Sequence, residues 1–166
     1  MLSYFFRLNY AYNDKYLLEV NGRYDGTSRF KKGHRWGFFP SVSAGWRISE
    51  ENFFESAKEI VSNLKLRASY GELGNQAISG YYPYASSIGS TPNYGYWFDK
   101  DLASGVAQIQ LANPAITWEK SKQINVGIDI GLFSNRLNAT FDYYRKDITD
   151  MLQQFPVPLF VGMTAP

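Results

Sequence analysis

The stretch YLLEVNGRYD, residues Tyr16–Asp25, indicates the fold class because apolar and polar side chains alternate along it. Its even positions are Tyr16, Leu18, Val20, Gly22 and Tyr24, and its odd positions are Leu17, Glu19, Asn21, Arg23 and Asp25. Successive side chains of a β-strand point to opposite faces of a sheet. The period of two therefore predicts a strand with one apolar and one polar face.

The same alternation recurs along the chain and predicts an all-β protein of about six antiparallel strands. The strands are expected near residues 3–12, 16–25, 37–48, 64–74, 117–132 and 136–149. One short helix is expected between residues 49 and 63, because Ser49 is a good N-cap and acidic residues follow it. Residues 75–117 are expected to form one very long loop.

Aromatic residues make up 17% of the chain and fall at the ends of the predicted strands. The apolar positions at these ends carry Tyr10, Tyr12, Tyr16, Tyr24, Trp46, Tyr70, Trp118 and Tyr143. Aliphatic residues lie between them, and all the long connections fall at one end of the strands. An aliphatic band between two aromatic girdles, with long loops on one side, is typical of an outer-membrane β-barrel.

About eight strands are the fewest that close such a barrel, and open sheet edges cannot face lipid. The pattern therefore predicts an antiparallel transmembrane segment of a larger barrel. Alternation also occurs in soluble antiparallel sheets, so a soluble, carbohydrate-binding β-sandwich stays open as an alternative. Folding as a monomer in buffer without detergent would favour the sandwich.

Composition excludes several other classes of protein. The chain has no cysteine, its one histidine is His34, and its formal net charge is +2. Disulfide scaffolds, thiol nucleophiles and multi-histidine metal sites are excluded, and nothing indicates nucleic-acid binding. We expect no enzyme, no catalytic residue, no metal and no cofactor.

Four long motifs resemble the SusC/RagA family of TonB-linked outer-membrane proteins. They are RYDGTSRF (Arg23–Phe30), RWGFFPSVSAGWRIS (Arg35–Ser49), LKLRASYGELGNQ (Leu64–Gln76) and NRLNATFDYYRKDITDML (Asn135–Leu152). The resemblance covers nearly the whole chain and is weakest between Ser79 and Ala115. It implies that residues 1–166 are part of a TonB-dependent receptor barrel of about 22 strands, from the later part of its wall and without the plug domain.

The resemblance also implies a function and partners. It implies import of oligosaccharides or peptides across the outer membrane of Gram-negative bacteria of the Bacteroidota type. A SusD-like surface lipoprotein would cap the barrel, and the TonB–ExbB–ExbD complex would supply energy through N-terminal parts outside this chain. A passive porin is the alternative within the membrane class.

The residues from Tyr81 to Asp101 are the best candidate for ligand contact. Tyr94, Tyr96, Trp97 and Asp99 are the predicted ligand-binding residues, because aromatic rings stack on sugar rings and carboxylates accept hydrogen bonds from hydroxyls. Packing within the loop, or contact with the lipoprotein, explains the same aromatics. Outer-membrane lipid is a further expected partner, with Lys31, Lys32 and Arg35 as candidates for lipopolysaccharide phosphates.

Charged residues at the polar strand positions are expected to pair with a plug or with each other. They are Glu19, Arg23, Arg47, Lys65, Arg67, Asp129 and Asp142.

Overall fold

The computed structural model describes residues 1–78, 80–108, 110–154, 156–158 and 160, with the backbone alone for residues 90–94. It contains eight strands. They are β1 (Leu2–Tyr12), β2 (Tyr16–Gly26), β3 (Trp36–Arg47), β4 (Val61–Asn75), β5 (Ile88–Phe98), β6 (Asp101–Gln108), β7 (Glu119–Leu132) and β8 (Leu137–Thr149).

Six strands form one antiparallel sheet in the order β1-β2-β3-β4-β7-β8, which confirms the predicted fold class. Strands β1 and β8 are its two edges, so the sheet is open. The turn between β1 and β2 places Asn13 and Asp14 at φ of 49° and 54°. Asn and Asp tolerate this left-handed conformation, and the Lys15 N–H closes the three-residue turn by donating to the Tyr12 carbonyl at 2.9 Å.

Two parts of the chain differ from the sequence-based expectation. The single helix predicted between residues 49 and 63 is wrong: two short 3-10 helices, Ile48–Glu50 and Asn52–Ala57, stand there, and neither has a side-chain cap. Ser49 is buried rather than capping a helix. The predicted long loop contains a hairpin, in which β5 pairs only with β6. In the described ranges, no helix is long and apolar enough to span a membrane.

The register of the six-stranded sheet gives it two chemically distinct faces. The apolar face contains the even positions of β2 and their cross-strand neighbours, such as Leu8, Val42 and Val126. The polar face contains the aligned row Asn9, Glu19, Ser43, Ser69 and Asn125. Leu8, Val126 and Phe141 are 61%, 51% and 63% exposed, because no second layer covers the apolar face in the described part of the chain.

Two aromatic clusters mark the ends of the apolar face. At the long-loop end, the Tyr24 and Trp36 rings stack with centroids 4.8 Å apart, and Tyr4 lies 6.4 Å from Trp36. At the short-turn end, Tyr16 stacks on Trp46 at 6.3 Å and lies 6.5 Å from Tyr12. Aromatic side chains with a polar edge favour the boundary between hydrocarbon and water.

The aromatic band at the long-loop end shifts in register from strand to strand. Tyr24 of β2 pairs with Phe38 of β3. Tyr70 of β4 pairs with Val42 of β3, which lies four residues closer to the short-turn end than Phe38 does. Tyr70 pairs with Ile124, whereas Tyr143 pairs with Val126, two residues further in the same direction. The band therefore runs obliquely to the hydrogen-bonded rows, as it does when strands are tilted in a barrel wall.

Glu51 anchors the cluster at the short-turn end. Its carboxylate accepts hydrogen bonds from the Tyr16 hydroxyl at 2.7 Å, the Trp46 indole at 3.2 Å and the Lys15 ammonium at 3.2 Å. The bond from Tyr16, and then that from Trp46, hold the pKa of Glu51 below its ordinary value of 4.5, against a smaller opposing effect of burial. Glu51 therefore binds the girdle instead of lying in the first turn of an α-helix.

Replacing Glu51 with Gln is expected to give a pH-dependent loss of stability. A carboxyl whose pKa is lowered by folding stabilises the folded state above its unfolded-state pKa, and this contribution is lost as pH falls through the folded-state pKa. The difference between wild type and E51Q in the urea midpoint, followed by tryptophan fluorescence, should be present at pH 7 and should shrink as the pH is lowered below 4.5, through the folded-state pKa of Glu51.

Glu50→Gln is the matched control for that experiment. Glu50 is half-exposed and lies 4.0 Å from Lys58, so its loss should change the midpoint little at any pH. A pH-independent difference for E51Q, or an equal effect of E50Q, would contradict the role of the Glu51 carboxylate.

Candidate functional site

A wedge between β3 and β4 contains the buried hydrophobic cluster of the described chain. The two strands pair only from Ser41 to Arg47 on β3, although β3 begins at Trp36. Phe30, Phe39 and Trp118 lie beyond this paired region and are 0%, 6% and 2% exposed. Trp118 meets both phenylalanine rings edge to face, at 5.6 and 5.4 Å.

The position of Trp118 corrects one sequence-based assignment. It was expected in the aromatic girdle of the apolar face, but it precedes β7 and is buried against Phe30 of the loop between β2 and β3 and Phe39 of β3. Its indole N–H donates to the Arg35 carbonyl at 3.1 Å, which satisfies the polar end of the ring. Trp118 therefore fixes the loop between β2 and β3 instead of facing outward.

Two arginines of that loop are also bound internally. Arg29 donates to the carbonyls of Gln76 and Ile78 at 3.4 and 3.5 Å and lies over the Tyr81 ring at 5.4 Å. Arg35 donates to the Phe30 carbonyl at 3.0 Å. Lys31, Lys32 and His34 are exposed. Of the three residues predicted to bind lipopolysaccharide phosphates, Arg35 is thus partly engaged in holding the loop.

Glu119 joins two further segments at the long-loop end. Its carboxylate accepts a hydrogen bond from the Asn75 amide at 3.1 Å and from the Leu152 backbone N–H at 2.9 Å. The end of β4, the start of β7 and the chain after β8 are thereby connected through one side chain. No pattern in the sequence predicts this role, because it depends on contacts between distant segments.

On the polar face, Arg67 bridges three strands. Its guanidinium donates two hydrogen bonds to the Asp129 carboxylate, at 2.8 and 3.0 Å, and one to the Asp142 carboxylate at 3.2 Å. Gly127 stands between Arg67 and Asp142 in the row, and a Cβ there would collide with the Asp142 carboxylate and the Arg67 guanidinium. Because Gly127 has no side chain, it leaves the space in which Arg67 and Asp142 contact each other across β7.

A concave space of about 590 Å³ lies over the same face. Its polar lining includes Asn9, Glu19, Ser43, Lys65, Arg67, Ser69 and Asn125. These groups can donate and accept hydrogen bonds and can hold ions of either sign. In the described part of the chain, no three His, Cys, Asp or Glu side chains are placed to hold a metal ion.

The structure does not bring the four predicted ligand-binding residues to one surface. Tyr94 lies in β5, and its side chain is outside the described residues. Tyr96 and Trp97 are adjacent in β5, so their rings lie on opposite faces of the hairpin, and both are 71% exposed. Asp99 is in the hairpin turn with φ of 56°.

Comparison with known proteins identifies the family of this two-faced sheet. The family described as "TonB dependent receptor-like, beta-barrel" matches residues 2–164. The chain belongs to this family. A TonB-dependent receptor, P39, of Formosa agariphila is 40% identical over 162 residues, which are 98% of this chain and 15% of that protein. SusC of Bacteroides thetaiotaomicron is 34% identical over 165 residues, covering 99% of this chain and 16% of SusC.

Solved structures agree with this assignment. The RagAB peptide importer in its "closed-closed" state matches with a TM-score of 0.81 and 31% identity over 98% of this chain. Its "open-open" state matches with a TM-score of 0.80 and 33% identity. In both, this chain covers 17% of the matched chain, so it spans about one sixth of the length of these relatives. Membership of the β-barrel family decides against the soluble sandwich.

Filling the wedge between β3 and β4 is expected to destabilise the protein. A Cβ added at Gly74 would overlap the Phe39 ring, so Gly74→Ala should cost about 1–3 kcal/mol of unfolding free energy through overpacking. Gly71→Ala is the matched control in the same strand, since its Cβ would meet only Ser41 at 3.3 Å. Replacing Phe39 with Leu in the G74A protein should restore part of the loss.

Heat-modifiable migration in gels and thermal unfolding measure this effect. Equal stabilities of G74A and G71A, or no recovery in the double variant, would contradict the packing of Phe39 against Gly74.

Proposed function

We propose that this chain forms part of the wall of a larger, closed outer-membrane barrel that imports a nutrient. The observation that carries the proposal is the six-stranded sheet with an uncovered apolar face between two aromatic clusters. Such a face suits contact with hydrocarbon, and its ends suit the two interfaces. Membership of the TonB-dependent receptor family supports the same conclusion.

The open edges of β1 and β8 support a barrel larger than these six strands. An edge strand presents unpaired N–H and C=O groups, which cannot be left exposed to lipid. Further strands would pair with both edges and close the wall. The outer membrane of a Gram-negative cell is the proposed location, with the long loops outside and the short turns in the periplasm.

The proposed mechanism is binding at the outer face followed by energised passage through the lumen, with no bond chemistry. A SusD-like lipoprotein is the proposed partner at the outer face, and the TonB–ExbB–ExbD complex the proposed energy source. An oligosaccharide or a peptide is the proposed solute. Similarity to the TonB-dependent receptor SusC supports dependence on TonB, and similarity to the RagAB peptide importer supports a peptide as the solute and a second protein as the partner.

Dependence on TonB tests the importer against the passive porin. Cells that express the full-length receptor are grown on a panel of oligosaccharides and peptide digests as sole nutrients. Growth on one of them should require both the receptor and TonB, because an energised importer cannot work by diffusion alone. Growth that needs the receptor and persists without TonB would favour a porin.

The aromatic hairpin provides a second test, since it is the proposed ligand or lipoprotein contact. Tyr96 and Trp97 face opposite sides, so one ligand on one face contacts only one of them. Of Y96A and W97A, one should weaken solute binding about tenfold or more, as loss of a stacked ring worth about 1.5 kcal/mol would do. Val106→Ala, an exposed position in β6, is the control.

Binding of solute and binding of the lipoprotein should be measured separately on the same variants. Loss of lipoprotein association with unchanged solute affinity would assign the hairpin to the partner. If neither variant alters either affinity, the hairpin is no binding site.

A further inference from the structure

The charged residues at apolar-face positions of the six-stranded sheet all lie in one patch. On β4, β7 and β8 the register continues the apolar face past Tyr70 and Tyr143 to charged residues at the long-loop end. The apolar-face positions of β1, β2 and β3, all three described in full, carry no charged residue. The charged patch consists of Glu72, Lys120, Lys122, Arg145 and Asp147.

The charged patch begins just beyond the aromatic band. Glu72 follows Tyr70 by two residues on β4, and Arg145 follows Tyr143 by two residues on β8, so each lies on the same face as its tyrosine. A step of two residues is about 7 Å along a strand. Tyrosines of a barrel wall mark the boundary between hydrocarbon and water. The charged patch therefore lies at the level of the lipid headgroups, on the side of the long loops.

Lys122 and Arg145 are close enough to bind one anion together. Lys122 pairs with Asp147 and Ile124 pairs with Arg145, so the two cations are diagonal neighbours on adjacent strands. Diagonal neighbours on one face are about 7–8 Å apart, which two long side chains can span. The Lys122 and Arg145 side chains are 46% and 69% exposed. Both can therefore reach a group that lies against this face.

The acids of the charged patch hold these two cations only weakly. The Lys122 ammonium is 3.7 Å from a Glu72 oxygen, too far for a hydrogen bond, and the same oxygen accepts the Tyr70 hydroxyl. Arg145 donates to Asp147 through Nε alone, at 3.2 Å. Exposed ion pairs of this kind contribute little. Most N–H groups of both cations have no partner among the described residues and can donate to a phosphate, which forms stronger, charge-assisted hydrogen bonds.

The position of the charged patch favours a lipid over other anions. It lies on the face that meets hydrocarbon, so a solute or a protein segment inside the barrel cannot reach it. A further strand added at β8 would lie beside Arg145 and would not cover this face. The three cations outnumber the two acids. An anionic headgroup in the leaflet next to the long loops fits both the level and the charge.

We propose that Lys122 and Arg145 form a binding site for a phosphate group of lipopolysaccharide, the anionic glycolipid of the outer leaflet. The proposal rests on the proposed function, because the apolar face meets lipid only in a closed barrel. Lys120, the next residue outward on the same face of β7, extends the site. The exposed loop residues Lys31 and Lys32 are the rival site at the same end of the sheet.

The test measures binding of purified lipid A to the full-length receptor in detergent micelles, by native mass spectrometry. In the K122Q/R145Q variant the Kd should rise roughly 30-fold, the factor for about 2 kcal/mol, at about 1 kcal/mol for each cation at a lipid surface. With lipid A whose phosphates have been removed, the variant and the wild type should bind equally. The contact that the variant loses is absent from that lipid.

Two further variants are the controls. The K122R/R145K variant keeps both charges and should bind phosphorylated lipid A as the wild type does. The K31Q/K32Q variant removes two exposed cations from the loop between β2 and β3 and should leave the Kd unchanged. Heat-modifiable migration in gels checks that each variant forms the folded barrel.

Four results would overturn the proposal and leave the barrel assignment intact. The first is an unchanged Kd in K122Q/R145Q, and the second is an equal loss of affinity in K31Q/K32Q. The third is an equal loss of affinity for dephosphorylated lipid A, which would assign the cations to another part of the lipid. The fourth is equally tight binding of phosphatidylglycerol, which would make the site one for any anionic lipid. Failure of the wild type to insert into bilayers as a barrel would instead refute the proposed function itself.

Discussion

The register of the antiparallel sheet is the constraint on which the rest of the structure depends. Because side chains alternate with a period of two, one residue of slip would exchange the apolar and polar faces of a strand. Continuous pairing from Leu2 to Tyr12 against Tyr16 to Gly26 keeps this alternation in phase, and the later strands continue it. Both aromatic clusters and the Arg67 ion pairs exist only in this register.

Two glycines leave space for side chains that the register brings together. Gly127 lets Arg67 cross a strand, and Gly74 admits the Phe39 ring to the wedge. Both lie in strands with extended backbone, so their role is to leave space rather than to permit a turn. A side chain at either position would separate groups that now touch.

The sequence predicted features that depend on local pattern and missed those that depend on distant contacts. Alternation was sufficient to predict the antiparallel sheet and its six strands. The buried position of Trp118 was not predicted. Its place in the alternation assigns it to the apolar face, but the residue lies before β7 and packs beneath a loop. The helix expected at Ser49 was wrong because Glu51 bonds the girdle and the segment forms two short 3-10 helices, which are frequent in connections between elements.

The arrangement of the candidate ligand residues also depends on strand pairing that the local sequence pattern did not predict. Tyr94, Tyr96, Trp97 and Asp99 look like one aromatic site along the chain, but pairing of β5 with β6 separates the two neighbouring rings. Likewise, Arg67 resembles the other polar-face charges in sequence. Only the observed ion pairs distinguish it, because its partners lie 62 and 75 residues away.

The oblique course of the aromatic band has a geometric consequence. Across four strand-to-strand steps the band is displaced by six residues, which is about 20 Å at roughly 3.3 Å per residue. The same four steps cover about 19 Å, since neighbouring strands lie about 4.8 Å apart. If the band is level with the membrane surface, the strands lean about 45° from the membrane normal. Each then occupies about 7 Å of circumference instead of about 4.8 Å, so leaning strands enclose a wider lumen than upright ones.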